Sequence, residues 1–207
     1  AVEIGSDISP TSMRFWFASF TSLEEAIFDS TSRLHTDQVT SMGYLFDYCS
    51  SLKRIDLSGF NTENVTDMVG MFLSCQVVEY IDISSFDTKN VTQMVDMFSY
   101  FGTVALDLRH FDTSKVTSMR SMFASGRTET ILVDGWDTSK VENFREMFDS
   151  NRAIKTLDLS SFDTSAATTF YRMFRNCSNL TTIYASNAFV IPAGASGNQM
   201  FDSVIRL

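Results

Sequence analysis

Phe60-Asn-Thr-Glu-Asn-Val65-Thr-Asp-Met68-Val-Gly-Met71-Phe72 returns as Phe86-Asp-Thr-Lys-Asn-Val91-Thr-Gln-Met94-Val-Asp-Met97-Phe98, and again from Phe111, Trp136 and Phe162. The residues that open the units, 34, 60, 86, 111, 136, 162 and 189, stand 25 to 27 positions apart. A fixed period of this length marks a solenoid, in which each unit cannot bury its apolar face alone and stacks on the next. Degenerate copies, Met13-Arg-Phe-Trp16-Phe17 and Gln199-Met200-Phe201, carry the array to both ends. Residues 1–207 therefore read as one repeat domain.

Two hydrophobic periods alternate inside each unit. Leu52-x-x-Ile55-x-Leu57, Val78-x-x-Ile81-x-Ile83 and Ile154-x-x-Leu157-x-Leu159 carry apolar residues at every second position, as a strand buried on one face requires. Met68, Met71 and Phe72 lie at i, i+3 and i+4, the spacing of one helix face. Thr40, Thr66, Thr92, Thr117 and Thr168 precede that stripe and read as helix N-caps. The expected fold is α/β, a right-handed solenoid of about eight strand-turn-short-helix coils whose strands form one parallel sheet.

Composition narrows the function. Sixteen Lys and Arg against 25 Asp and Glu leave a net charge of −9, which repels a nucleic-acid backbone. No apolar run reaches the roughly 20 residues that span a bilayer, so no membrane insertion by this segment is expected. The start Ala1-Val2-Glu3 lacks the basic and apolar regions of a signal peptide, and the chain is read as a segment of a longer, processed protein. Nineteen Phe and 11 Met supply a core, and nearly all the Met fall in the two columns of the Met-x-x-Met-Phe step. Three Cys are too few for a disulfide framework; Cys49, Cys75 and Cys177 share one repeat position and read as buried thiols.

The unit Phe-Asp-Thr-Ser-Lys-Val-Thr-Ser-Met-x-x-Met-Phe at 111–123, together with Leu-Asp-Leu-Ser-Ser-Phe at 157–162, resembles the repeat of BspA-like leucine-rich repeat bacterial surface proteins, a repeat also found in mycoplasma lipoproteins. The resemblance covers residues 12–201. It implies a leucine-rich-repeat-like fold, an extracellular place on a bacterial surface, anchored to wall or lipid through regions outside this chain, and a role in adhesion. It transfers no catalytic residue, because the motif is made of framework positions.

The residues themselves point the same way. Asp87, Asp112, Asp137 and Asp163, each followed by Thr, fit Asx-turns; a calcium ladder would need several Asp and Gly per turn. The sequons at Asn64, Asn90, Asn176 and Asn179 fall out of the repeat. His35 and His110 lie three coils apart, and no nucleophile-base-orienter set is assembled, so no enzyme, metal or cofactor is expected. Binding is expected on the outward strand face, at Arg54, Tyr80, Asp82, Asp107, Arg109, Thr130, Thr156 and Asp158. Host or cell-surface proteins, extracellular-matrix proteins among them, are the expected partners. The alternative is a passive spacer that projects another domain. Asp56, Asp82 and Asp107 are expected to stack as one column of like charges, raising the pKa of Asp82.

Overall fold

The computed structural model describes residues 7–204. The expectation drawn at Ala1-Val2-Glu3 lies outside them. Seven short strands recur: β1 (Glu25–Ile27), β2 (Arg54–Asp56), β3 (Tyr80–Asp82), β4 (Ala105–Asp107), β5 (Thr130–Leu132), β6 (Thr156–Leu159) and β7 (Thr182–Ala185). From β1 to β7 the chain makes about six turns of a parallel β-solenoid, not the eight expected. The last degenerate copy, at 199–201, adds turns but no strand among the described residues.

The expected helices do not form among the described residues. Met68, Met71 and Phe72 lie in a run of tight turns. The Met71 N–H donates to the Met68 carbonyl, while the Gly70 and Phe72 N–H groups donate to Val95 and Met97 of the next coil. Two left-handed residues recur in each run, Gly70 and Ser74 at φ 59° and 62°, or Asp96 and Tyr100 at 56° and 53°. Space decides against a helix. It is about 10–12 Å across, whereas coils joined as parallel strands repeat every 4.8 Å or so. A helix would also spend internally the N–H groups that here tie one coil to the next. The i, i+3, i+4 spacing serves consecutive turns equally well, so periodicity alone could not separate the two.

The threonines read as caps do something else. Thr66, Thr92, Thr117 and Thr168 donate their hydroxyls to the carbonyls of Thr40, Thr66, Thr92 and Glu142, one coil back. Beside them a ladder of parallel bridges runs without a break through Ser41, Asp67, Gln93, Ser118, Asn143, Thr169 and Ser196. A second threonine column is buried. Thr62 Oγ1 donates to the Asp87 carbonyl at 2.9 Å and accepts the Asp87 N–H at 2.8 Å, and Thr36 does the same with Asn61. Each hydroxyl pairs both main-chain polar groups of one residue in the next coil, groups that no strand ladder serves.

One core runs the length of the stack. Phe17, Phe46, Phe72, Phe98, Phe123, Phe148, Phe174 and Phe201 form a continuous column with neighbouring ring centroids 5.3–6.0 Å apart. All 11 Met are buried beside it, as the repeat columns implied. The thiols of Cys49, Cys75 and Cys177 are free and buried, and each donates to the carbonyl of a Phe in the preceding coil. Burial pushes the Cys49 and Cys177 thiols up to about 11 and about 12. Asn151 takes the same place with its amide, donating to Phe123.

The single sheet is also corrected. The strands form three sheets, β1-β2-β3, β4-β5 and β6-β7, all parallel. The breaks fall where the return segment changes length. From the core Phe to the strand there are eight positions in the coils that carry β1, β2, β3, β6 and β7, as from Phe72 to Tyr80, but seven in those that carry β4 and β5, as from Phe98 to Ala105. The longer segments bury an aliphatic residue, Leu52, Val78, Ile154 or Leu180, that the shorter ones lack. Phe101, packed on Phe72 and Phe98, fills that volume in the β4 coil. Coils of equal length keep their strands in register, and coils of unequal length do not.

Candidate binding site

Every residue expected to bind lies at a strand or its exit, but the two breaks divide them among three patches. Arg54, Tyr80 and Asp82 share the first sheet, where Arg54 pairs in register with Tyr80 and Asp56 with Asp82. The Arg54 guanidinium sits 4.3 Å over the Tyr80 ring and 3.5 Å from Asp56. Asp107, Arg109 and Thr130 belong to the second patch, with a two-pronged ion pair in which Arg109 Nη2 reaches Asp107 at 2.6 Å. Thr156 and Asp158 belong to the third, opposite Thr182 and Tyr184.

The column of repelling aspartates is not there. Asp107 is opposite Leu132, not Asp82, and no Cα of β4 comes within 8 Å of a Cα of β3. Asp82 is pulled below its ordinary value, not above it. The Ser84 hydroxyl and N–H both donate to its Oδ1, and Arg54 adds attraction. Arg109 holds Asp107 down at about 2. Ser160 lowers Asp158 likewise. These carboxylates cap their own strand ends as Asx-turns.

A carboxyl whose folded pKa is depressed contributes stability above its unfolded value and loses it as the pH falls through the folded one. Asp82→Asn is therefore expected to lower the melting temperature slightly at pH 7. That deficit should shrink as the pH falls below 3.8. Thermal scans across this range check it, and a variant more stable than the natural chain at pH 7 would restore the repulsive column.

The breaks open two clefts. One, of about 350 Å³, lies between β3 and β4, with Asp82, Asp107 and His110 on its walls; His110 Nε2 lies 3.1 Å from the Ile83 carbonyl. The other lies between β5 and β6, about 330 Å³ on the strand side, and continues past Ala153 into a pocket of about 530 Å³ lined by Arg127 and Arg152. Main-chain bonding shows what each break leaves undone. Glu24, Lys53, Val104 and Lys155, just before or at the start of a strand edge, each accept two N–H groups from the next coil. Glu79 and Glu129, in the same place at the breaks, accept none, and the Ile83 and Val133 N–H groups donate to none of the described residues.

A family model described as "Mycoplasma protein of unknown function, DUF285" matches residues 11–131 and 101–206. The chain belongs to this family. Its membership agrees with the mycoplasma-type, BspA-like repeat read from Phe111 to Phe123. No curated protein matches the sequence. Among solved structures, a leucine-rich repeat protein from Bacteroides ovatus ATCC 8483 is similar at 15% identity over 94% of this chain and 68% of that one, with a TM-score of 0.28.

Sequence reading of this DUF285 chain missed Arg127, Arg152, Lys155 and Tyr184 and the two clefts. The signal was available for the clefts: the anchors at 86, 111 and 136 are 25 apart where the first three are 26 apart. One residue fewer per coil shifts the strand against its neighbour.

Proposed function

We propose that this chain is a non-enzymatic, protein-binding module of a bacterial surface. On this reading it stands outside the cell, anchored to wall or lipid through regions beyond this chain, and adheres to host or cell-surface proteins, extracellular-matrix proteins among them. The strand face is its contact surface. What carries the reading is the Tyr80–Arg54 stack: Tyr80 is 42% exposed on the strand face, with Arg54 laid over it. Tyr and Arg are, with Trp, the residues most enriched where interface energy concentrates, Tyr for its large, rigid ring and Arg for a planar guanidinium that stacks and donates several hydrogen bonds. Tyr184, also exposed, and the Asp107–Arg109 pair extend the face along the stack.

The test is capture of extracellular-matrix and serum proteins by the immobilised chain. Changing Arg54, Tyr80 and Arg109 together to Ser is expected to abolish capture with little change in melting temperature, because all three lie outside the core. Unchanged capture would move the site off the strand face. If the natural chain captures nothing, the reading fails in favour of a passive spacer.

A further inference from the structure

We infer that the corner pocket between Gly126 and Arg152 is a binding site for a short acidic saccharide, one or two sugar rings carrying a carboxylate or a sulfate. The site lies in the return segments, before the strands begin, and stands independently of the protein contact at Tyr80.

The pocket opens where one main-chain bond is missing. In the two preceding corners of the stack the Gly102 N–H donates to the Cys75 carbonyl at 3.1 Å, and the Arg127 N–H to the Phe101 carbonyl at 2.9 Å. The next pair in that series, the Arg152 N–H and the Gly126 carbonyl, is unbonded among the described residues. Here the return lengthens from the seven positions between Phe123 and Thr130 to the eight between Phe148 and Thr156. The corner gapes to about 530 Å³, room for a ligand of one or two rings. Its wall keeps a free donor and a free acceptor, with the Ser125 hydroxyl beside them bonded to no described residue. A hydroxylated ring uses donors and acceptors together, because each of its hydroxyls is both.

Charge sets the class of ligand. The chain carries −9, and most of its described cations are engaged, as Arg109 is by Asp107 or Arg175 by Asp149. Arg127 and Arg152 make no ion pair or side-chain hydrogen bond with any described residue, and no carboxylate lines the pocket with them. Asp149, next to the lining Ser150, is turned to Arg175 through two bonds of 3.0 and 2.7 Å. Two exposed guanidinium groups on a wall without an acid attract an anion, and each can hold a carboxylate or sulfate through two N–H groups.

Tyr100 supplies what a bare anion has no use for. The residues two positions after the core Phe form a column of left-handed backbone, φ 53° to 62°, filled by Ser or Asn except at Tyr48 and Tyr100. Ser125 and Ser150 of this column line the pocket, and Tyr100 stands one coil before them, 51% exposed. Its N–H donates to the Ala124 carbonyl, next to Ser125, at 2.8 Å. A bulky side chain in this conformation is uncommon and strained, and such strain gathers where a side chain is put to use. An aromatic ring at the rim offers a flat apolar face to the C–H side of a sugar, and the phenol hydroxyl offers a hydrogen bond.

The test titrates the whole chain with glucuronic acid linked to N-acetylglucosamine, with a sulfated form of that disaccharide, with neutral cellobiose and with inorganic sulfate. An acidic disaccharide is expected to bind about tenfold or more tighter than cellobiose. It should weaken about tenfold or more in Arg127→Ser/Arg152→Ser, and should weaken with salt. Tyr100→Ser, which installs the common residue of the column, is expected to weaken the disaccharide and leave inorganic sulfate unchanged. All three residues are exposed, so both variants should melt with the natural chain, which separates lost binding from lost folding. No preference for the acidic disaccharides over cellobiose, or no loss in either variant, overturns the proposal. So does inorganic sulfate binding as tightly as the disaccharide, since the pocket would then hold an adventitious ion only. A glutamate tripeptide that outcompetes both overturns it in favour of peptide. Matrix-protein capture lost with disaccharide binding intact removes the protein-binding reading alone, and the reverse result removes the saccharide site alone.

Discussion

Phe98→Ala is expected to destabilise the chain by about 3–5 kcal/mol, the range for removing a fully buried aromatic side chain whose cavity cannot collapse. Phe98 is 1% exposed, and its ring stacks on Phe72 at 5.4 Å and Phe123 at 6.0 Å while meeting Phe101 edge-on at 5.3 Å. The coils above and below are fixed by the unbroken bridge ladder through Gln93 and Ser118, so neither can settle into the void. Urea denaturation at several wavelengths measures it, because a stack of coils need not unfold in one step. The same change at Phe201, which ends the column and is 47% exposed, should cost far less. A loss under about 1 kcal/mol at Phe98 would mean that the aromatic column does not hold the stack together.

Gly102→Ala is expected to cost about 3 kcal/mol, at the upper end of what overpacking usually does, since the obstacle is backbone and cannot rotate away. A Cβ at Gly102 would stand 2.1 Å from the Gln76 carbonyl oxygen and 2.8 Å from its carbon. The Gly102 N–H donates to Cys75 at 3.1 Å, so the two coils meet there main chain to main chain. Pushing them apart would break that bond and loosen Phe101, which precedes the glycine in the core. The denaturation midpoint checks this. A variant as stable as the natural chain would show that the coils are not in contact at that point.

The repeat was legible because its framework positions are chemical necessities written 25 to 27 residues apart. Each coil repeats a buried Phe and a pair of large apolar residues three apart, mostly Met, and four of them share the Asp-Thr turn. A strand was legible at Arg54–Asp56 from the alternation around Ile55. The turn at Asp87 was legible as well, where the Lys89 N–H donates to Asp87 Oδ1 two residues back. The helix was not. At Met68, Met71 and Phe72 the spacing is the same for a helix and for consecutive turns, and the choice depends on how closely the next coil approaches.

The site was legible only as a list of outward positions. That Arg54 would lie over Tyr80, and Arg109 grip Asp107, followed from register and rotamer, neither of which a single strand specifies. The corner pocket and the free arginines on its wall arise from a relation between coils. The seven-position return before Thr130 meets the eight-position return before Thr156, and their strands cannot pair. By itself the sequence determined the period, the buried columns and the turn chemistry of this protein, because those are properties of one coil repeated. The tertiary structure alone decided helix against turn, one sheet against three, and the place of the pocket, because each of these depends on the distance and register between two coils.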